Sequence, residues 1–569
     1  MRDWRIKFLF LFFLILFGVF VFRLYHFQIV KGEEYFKLAQ NQQDTLQKIS
    51  PKRGAIFFSD KKTCLARQEK CFTILIDPLM VDIKNIEKSI ELLGSNLNLN
   101  TSQKNRLIEN IKEKRKEGLH YLKVSNEKVS EIKKKEIQKL DISGIYFEEE
   151  GCRFYPQGEL AAHLVGFYSE GSNEGYYGVE GFYDSVLKGV EGKIKGKKDA
   201  YGRIIPNYSQ VLKQVQDGDD LILTIDFSIQ SLLESKLKEL VEKYGPEAAT
   251  GVIMNPKTGE ILAMASLPNF NPNEYDKADE KSLNNVAMQA FEQGSIFKPI
   301  TMAAGIEENV VNPQTTYEDK GFVTIDNRQI YNWDRKGRGT ANMIKVMEES
   351  LNTGAVFVEQ KLGKEKFLNY IQKFGFGEKT GIDLQGESPG DIRNLFSPRE
   401  IECANASFGQ GFSATPVQIL QAFSAIANGG KMVRPYVVKE RITPSGKIIK
   451  TKTEVVASPI SAETAARVSA MMVSVVKNGF GKKADVEGYL IAGKTGTAQV
   501  PDIGGYSSEV STHTFISFAP ALDPQFEIYI ALLKQRNGQI FASDSIAPVV
   551  KDISSFLLAE YFKIPPSEK

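Results

Sequence analysis

Phe291-Glu292-Gln293-Gly294-Ser295-Ile296-Phe297-Lys298-Pro299-Ile300 sets a serine and a lysine three residues apart at the expected start of a helix. Positions i and i+3 share one helix face, so the hydroxyl and the amine can meet. Gly294 suits a turn into the helix, and Pro299 is tolerated only near a helix start. The helix is expected to run on to residue 308. A serine hydroxyl is a weak nucleophile at neutral pH and needs an adjacent base. A lysine can serve when burial or a second cation lowers its pKa, because both penalise the charged form. By itself the pair is commonplace, and its plainest reading is a helix start with a surface lysine.

Two later stretches reverse that reading. Ser350-Leu351-Asn352 and Lys494-Thr495-Gly496-Thr497 follow in chain order. They complete the S-x-x-K, S-x-N and K-T-G set of penicillin-recognising serine enzymes. On these motifs the chain resembles the class B penicillin-binding proteins, the membrane-anchored D,D-transpeptidases that cross-link peptidoglycan. Further matches are Arg153-Phe154-Tyr155-Pro156-Gln157-Gly158-Glu159-Leu160-Ala161-Ala162-His163-Leu164-Val165-Gly166 and Gly178-Val179-Glu180-Gly181-Phe182-Tyr183-Asp184. Thr380-Gly381-Ile382-Asp383-Leu384 and Ser407-Phe408-Gly409-Gln410-Gly411 also match. The resemblance implies an α+β protein with a single N-terminal transmembrane helix, an elongated pedestal (dimerisation-like) domain and a transpeptidase domain. In that last domain a five-stranded sheet lies between helices, with the active site at its edge.

The chain of 569 residues is long enough for two or three domains, and its 42% hydrophobic and 25% charged composition is that of a folded protein. A net charge of +2 gives no reason to propose a nucleic-acid partner. His26, His120, His163 and His513 stand far apart without metal-ligand spacing, which argues against a zinc site and a Ser-His-Asp triad. No cofactor and no metal is expected.

Residues 8–22 are unbroken apolar sequence preceded by Arg2, Arg5 and Lys7. The run is shorter than the roughly 20 residues of a typical span, but Trp4, Arg23 and Tyr25 can extend it into the interfaces. A cleaved signal peptide is the rival, and the following Arg23-Leu24-Tyr25-His26-Phe27-Gln28 lacks the small residues of a cleavage site. The expected division is a cytoplasmic tail (1–7), an anchor in the cell membrane (8–27), a pedestal (28–216), a transpeptidase domain (217–563) and a C-terminal tail (564–569). The N-terminus is expected in the cytoplasm and the catalytic domain outside. Arg53-Gly54-Ala55-Ile56 keeps the family's pattern, whereas the Asp-Arg-Asn-Gly that follows in the family is replaced here by residues 57–62.

Cys64 and Cys71 flank an expected turn, and either a bridge or two reduced thiols fits an extracytoplasmic location. Cys152 and Cys403 read as buried thiols. Residues 104–140 read as an amphipathic helical pair. Asn255-Pro256-Lys257-Thr258-Gly259 joins two expected strands, 249–254 and 260–266.

The resemblance assigns Ser295 as nucleophile, Lys298 as its base, Ser350 as proton relay and Asn352 as the group positioning Lys298 and the peptide. Lys494 would depress the Lys298 pKa and, with Thr495 and Thr497, bind the substrate carboxylate. Gly496 would keep the strand edge clear for substrate. The N–H groups of Ser295 and Thr497 would form the oxyanion hole. His163 reads as an interface residue.

Implied partners are peptidoglycan stem peptides, β-lactam antibiotics, the lipid bilayer, other division proteins and a membrane glycosyltransferase of the shape, elongation, division and sporulation family. The division and sporulation enzymes are the nearer match. An elongation-type transpeptidase, a D,D-carboxypeptidase and a non-catalytic β-lactam sensor are the alternatives. A β-lactamase would not need an anchor and pedestal, and residues 30–215 match the pedestal instead of the glycosyltransferase domain of a bifunctional enzyme.

Overall fold

The computed structural model describes residues 3–125, 128–197, 210–502, 505–535 and 540–566. Residues 1–2 of the expected cytoplasmic tail, Arg2 among them, and residues 567–569 of the expected C-terminal tail lie outside them. The chain forms two compact units, Met1–Arg53 with Lys188–Gly218, and Gly54–Leu187 with Asp219–Lys569.

The first unit begins with helix α1 (Asp3–Tyr25), whose apolar side chains are exposed throughout. With the residues that follow it forms a helical span of 28 residues, Asp3–Val30, containing an 18-residue window of mean hydropathy 2.5, long and apolar enough to cross a bilayer. The strands Asp44–Ile49 and Gln210–Lys213 pair antiparallel on either side of Gly192–Lys197.

In the second unit, a mixed sheet carries the N-terminal segment. Strand β1 (Ile56–Phe57) pairs with β2 (Cys64–Ile76), and β2 runs antiparallel to β3 (Ile145–Phe154) from Arg67↔Phe154 to Ile76↔Ile145. Strand β4 (Asp220–Leu223) joins β1 to Val438–Ile442, so this sheet recruits a strand from the C-terminal half. The expected helical pair is present as Thr101–Lys116 and Glu131–Gln138, and it packs Leu107, Ile111 and Ile137 against Phe72, Ile74 and Ile76.

The cysteine expectation is overturned. Cys64 and Cys71 both lie on β2, with no turn between them. Seven positions of extended chain separate them by about 23 Å, too far for a bridge. Cys71 is instead bonded to Cys152, a diagonal neighbour on β3, with a Cα–Cα separation of 5.7 Å. Cys64 and Cys403 are free thiols.

The pedestal motifs fasten this region to the C-terminal half. Arg153 Nε donates to Glu180 Oε1 at 2.6 Å with both side chains buried, and Arg153 Nη1 donates to the Gly54 carbonyl. Breaking a buried pair strands a charge, at a cost of about 3–5 kcal/mol. His163 Nε2 donates to Ser282 O at 2.7 Å, the interface role expected of it. Asp383 accepts from Tyr183 Oη and from the Val437 and Val438 N–H groups, so one buried carboxylate ties three segments together.

The C-terminal half is built on strands β5 (Ala248–Met254), β6 (Ile261–Leu267), β7 (Ala492–Asp502), β8 (Gly505–Ala519) and β9 (Phe526–Gln535). They form the expected five-stranded sheet in the order β6-β5-β9-β8-β7, antiparallel throughout. Helices α2 (Phe227–Tyr244) and α7 (Ala547–Ser555) cover one face through Leu233, Leu237, Val550 and Ile553. The other face receives α3 (Lys298–Glu307), α4 (Asn352–Leu362), α5 (Pro416–Ala427) and α6 (Ala462–Asn478). This leaves β7 at the sheet edge. Alkylation of oxidised, denatured protein should therefore label Cys64 and Cys403 and yield a Cys71–Cys152 cross-linked peptide on digestion. A Cys64–Cys71 cross-link would contradict the strand assignment.

Candidate active site

Ser295 does not lie on the α-helix itself but in a single 3-10 turn, Gly294–Phe297, that feeds α3. Gly294 has φ +65°, the left-handed conformation a side chain disfavours. A Cβ there would also stand 3.1 Å from the Thr497 carbonyl carbon and the Ala498 nitrogen. The turn is fixed from behind: Gln293 Nε2 donates to Ala414 O, Tyr529 Oη donates to Gln293 Oε1 and Thr514 Oγ1 donates to Gln293 O. Gly294 N donates to Gly409 O, which gives the Ser407–Gly411 motif a structural place beside the nucleophile.

Lys298 opens α3 with 1% of its surface exposed, and Lys494 on β7 has none. Lys298 Nζ reaches three acceptors: Ser350 O at 2.5 Å, Asn352 Oδ1 at 2.8 Å and Ser350 Oγ at 3.1 Å. Lys494 Nζ donates to the same Ser350 Oγ at 2.9 Å and to Thr495 O at 2.9 Å. Two buried ammonium groups on one hydroxyl are a poor arrangement in low dielectric. Burial first, then the Lys494 charge, push the Lys298 pKa well below its ordinary value. Burial alone lowers Lys494 to about 7.

A neutral Lys298 has two N–H bonds and one lone pair. Ser350 O and Asn352 Oδ1 can only accept, so they take the two N–H bonds. The lone pair then faces the Ser350 hydroxyl proton, while Lys494 donates to that same oxygen. Among the described residues the Ser295 hydroxyl makes no hydrogen bond in this resting geometry. Contacts of this kind commonly tighten only with substrate bound.

Ser350 sits between two helices, Met343–Glu348 and α4, at φ +53°. Such a conformation costs about 1–3 kcal/mol for a non-glycine residue and persists only where surroundings impose it. They do so through residues that carry no motif. Buried Asp319 accepts from Asn332 Nδ2, Thr353 Oγ1, Gly321 N and Arg338 N. Asn332 Oδ1 in turn accepts from Thr353 N, directly after the Ser-x-Asn triplet. Asn352 Nδ2 donates to Tyr331 O at 2.8 Å, which turns its carbonyl oxygen toward Lys298. Asp319, Tyr331 and Asn332 escaped the sequence reading because their spacing matches no motif.

Ser295, Ser350, Asn352, Thr495 and Thr497 all line one cleft of about 570 Å³, and Trp333 stands on its wall against Phe480 and Phe541. Gly496 also meets a packing constraint. A Cβ there would lie 2.2 Å from Thr514 Oγ1 and 3.0 Å from Gln293 O. The glycine therefore lets β7 close onto the nucleophile turn. The arrangement offers a serine hydroxyl on the cleft, a buried amine whose pKa is lowered, a shared serine hydroxyl and a second lysine beside a strand edge. That is an acyl-transfer set.

The penicillin binding protein transpeptidase domain matches residues 249–555, and the penicillin-binding protein dimerisation domain matches residues 48–223. Stage V sporulation protein D of Bacillus subtilis (strain 168) is 37% identical over 560 residues, 97% of this chain and 85% of that protein. Peptidoglycan D,D-transpeptidase FtsI of Escherichia coli (strain K12) is 31% identical, covering 73% of this chain and 68% of its own length. The structure of penicillin-binding protein 2X from Streptococcus thermophilus superposes with a TM-score of 0.73 at 25% identity, covering 91% of this chain and 81% of that one. Penicillin-binding protein 3 of Mycobacterium tuberculosis, complexed with aztreonam, superposes with a TM-score of 0.70 at 25% identity, covering 92% and 98%.

The two lysines predict unequal mutants. Lys298→Arg should lose acylation by at least about a hundredfold, because arginine does not give up its proton near neutral pH. Lys494→Arg keeps a cation and should retain a measurable fraction. Equal residual rates of penicillin acylation would remove the distinction.

Proposed function

The chain belongs to the class B penicillin-binding proteins, and from that premise we propose how its site works as a peptidoglycan D,D-transpeptidase. The observation that carries the mechanism is the pair of buried lysines on Ser350 Oγ, one of which must be neutral. Ser295 Oγ attacks the carbonyl of the penultimate D-Ala of a donor stem peptide, and its proton passes to the Lys298 lone pair, which turns from the Ser350 hydroxyl to receive it. The C–N bond to the last D-Ala breaks as that proton is relayed through Ser350 to the leaving amine. An acceptor amine then attacks the acyl-serine ester, forms the new amide and returns a proton to Ser295.

Asn352 holds Lys298 and the peptide, and Lys494, Thr495 and Thr497 bind the terminal carboxylate as charge-assisted donors. The backbone N–H groups of Ser295 and Thr497 supply the oxyanion hole, each worth about 3–4 kcal/mol to the transition state. β-Lactams acylate the same serine. Ser295→Ala should abolish labelling by a fluorescent penicillin while the protein still melts cooperatively. An adduct mapped to Ser350 in the wild type would overturn the assignment. Donor turnover that produces only the hydrolysed acid, even at saturating amine, would favour the carboxypeptidase reading.

The finer role we assign is septal wall synthesis, in division or sporulation, with α1 anchored in the cytoplasmic membrane and the catalytic unit outside. Support comes from the name of the sporulation relative in Bacillus subtilis, from Arg5 and Lys7 before the apolar run, and from the Cys71–Cys152 bridge, which an oxidising compartment maintains. A transpeptidase needs glycan strands, so a membrane glycosyltransferase of the shape, elongation, division and sporulation family is the proposed partner. Gly18, the small residue in the apolar run of α1, is the point of closest helix approach. A fluorescent fusion should gather at the septum, and Gly18→Leu should reduce co-purification of the partner from detergent. Side-wall localisation, or full recovery with the whole helix exchanged, would refute the respective assignment.

A further inference from the structure

A second hydrogen-bonded chain reaches the cleft from the side opposite the nucleophile turn, and none of the three motifs includes it. In the β7–β8 register, His513 stands opposite Thr497 and Ser511 opposite Gln499. His513 is fully buried. Its Nδ1 lies 2.9 Å from Ser545 Oγ and its Nε2 3.1 Å from Ser511 Oγ. Burial pushes its pKa down to about 4, so the ring is neutral at growth pH, with one nitrogen donating and the other accepting.

The direction of the chain follows from its inner end. Ser545 closes the short helix Ala542–Ser545, and its hydroxyl reaches the Phe541 carbonyl at 3.2 Å, a group that can only accept. With the Ser545 proton directed there, His513 Nδ1–H donates to Ser545 Oγ and Nε2 accepts the proton of Ser511. The Asp544 charge, next to Ser545 on the same helix, attracts the imidazole N–H to that side as well. Ser511 therefore turns its proton inward and its lone pairs outward. Its residue lines the same cleft as Ser295, with Gln499 and Ser543.

We propose that Ser511, oriented by His513 and Ser545, accepts a hydrogen bond from the amine-bearing end of the acceptor stem peptide. The proposal rests on the transpeptidase reading above. In that reading Lys494, Thr495 and Thr497 hold the carboxylate of the departing D-Ala; Gln499 lies two residues further along β7, and Ser511 stands opposite it on β8. The acceptor amine takes the place of the departing D-Ala, so it enters past the carboxylate site. An attacking amine must keep its lone pair free. A hydroxyl that donated would cap that lone pair, whereas an oxygen with its proton turned away takes an N–H and leaves the lone pair aimed at the ester. His513 and Ser545 act only through Ser511 and are positioning residues.

The test uses the full-length protein, a D-Ala thioester donor and a synthetic stem-peptide amine, and it reads the ratio of aminolysis to hydrolysis of the acyl-enzyme. That ratio is independent of how fast the acyl-enzyme forms. Ser511→Ala and His513→Phe should each lower it about tenfold through a raised acceptor KM, and Ser511→Thr should restore it. The double variant should match Ser511→Ala alone, because His513 acts through that hydroxyl. An unchanged ratio in Ser511→Ala, or additive losses in the double variant, would overturn the proposal. A wild type that is acylated by penicillin at Ser295 but gives no aminolysis would instead overturn the transpeptidase reading.

Discussion

Two lysine side chains buried on a single serine oxygen are the constraint around which the rest of this protein is arranged. A lysine in water stays protonated far above neutral pH, and neither an anchor nor a pedestal changes that. Burial against Ser350 and Asn352 does, because desolvation penalises the ammonium and the second lysine penalises it again. The molecule needs a rigid sheet to hold Lys494, a packed helix start to hold Lys298 and a locked turn to hold Ser350. It has all three.

Rigidity around the site comes from close approach of backbones as much as from large side chains. Gly294 and Gly496 leave no room for a methyl group between the nucleophile turn and β7, and Gln293 links that turn to β8 and β9. On the far wall, the buried Asp319 carboxylate gathers Asn332 and Thr353 and so holds Ser350 in its left-handed conformation. Behind these, the buried Arg153–Glu180 pair holds the pedestal motifs together, and the Asp383 hub binds them to the catalytic half. Three of these contacts, Gln293 with Thr514, Gln293 with Tyr529 and Tyr183 with Asp383, join segments 200 or more residues apart.

The three motifs, which need particular residue types at fixed spacing, named residues that the fold does bring together, Ser295, Lys298, Ser350, Asn352 and Lys494, and the resemblance they carry implied the five-stranded sheet. The hairpin around residues 255–259 was legible for a similar local reason. What was not legible depends on strand pairing. Cys71 finds Cys152 because β2 continues without a turn and registers with β3, which no local pattern near Cys64 and Cys71 reveals. The packing constraint on Gly496 was hidden for the same cause: the atom a side chain would strike, Thr514 Oγ1, belongs to the neighbouring strand. Asp319, Tyr331 and Asn332 join the site only through the fold, and His513, set aside as a lone histidine, turns out to connect the cleft wall to a helix.

The central claim is that one lysine of the buried pair is uncharged at neutral pH, ready to take the proton of Ser295. Nitrogen-15 NMR of protein labelled at lysine Nζ, with Lys298→Arg and Lys494→Arg to assign the resonances, reads this directly. The account predicts a Lys298 resonance with the chemical shift of a free amine at pH 7, far from the bulk of surface ammonium signals. A Lys298 resonance that stays protonated until it titrates with the surface lysines near pH 10 would contradict it.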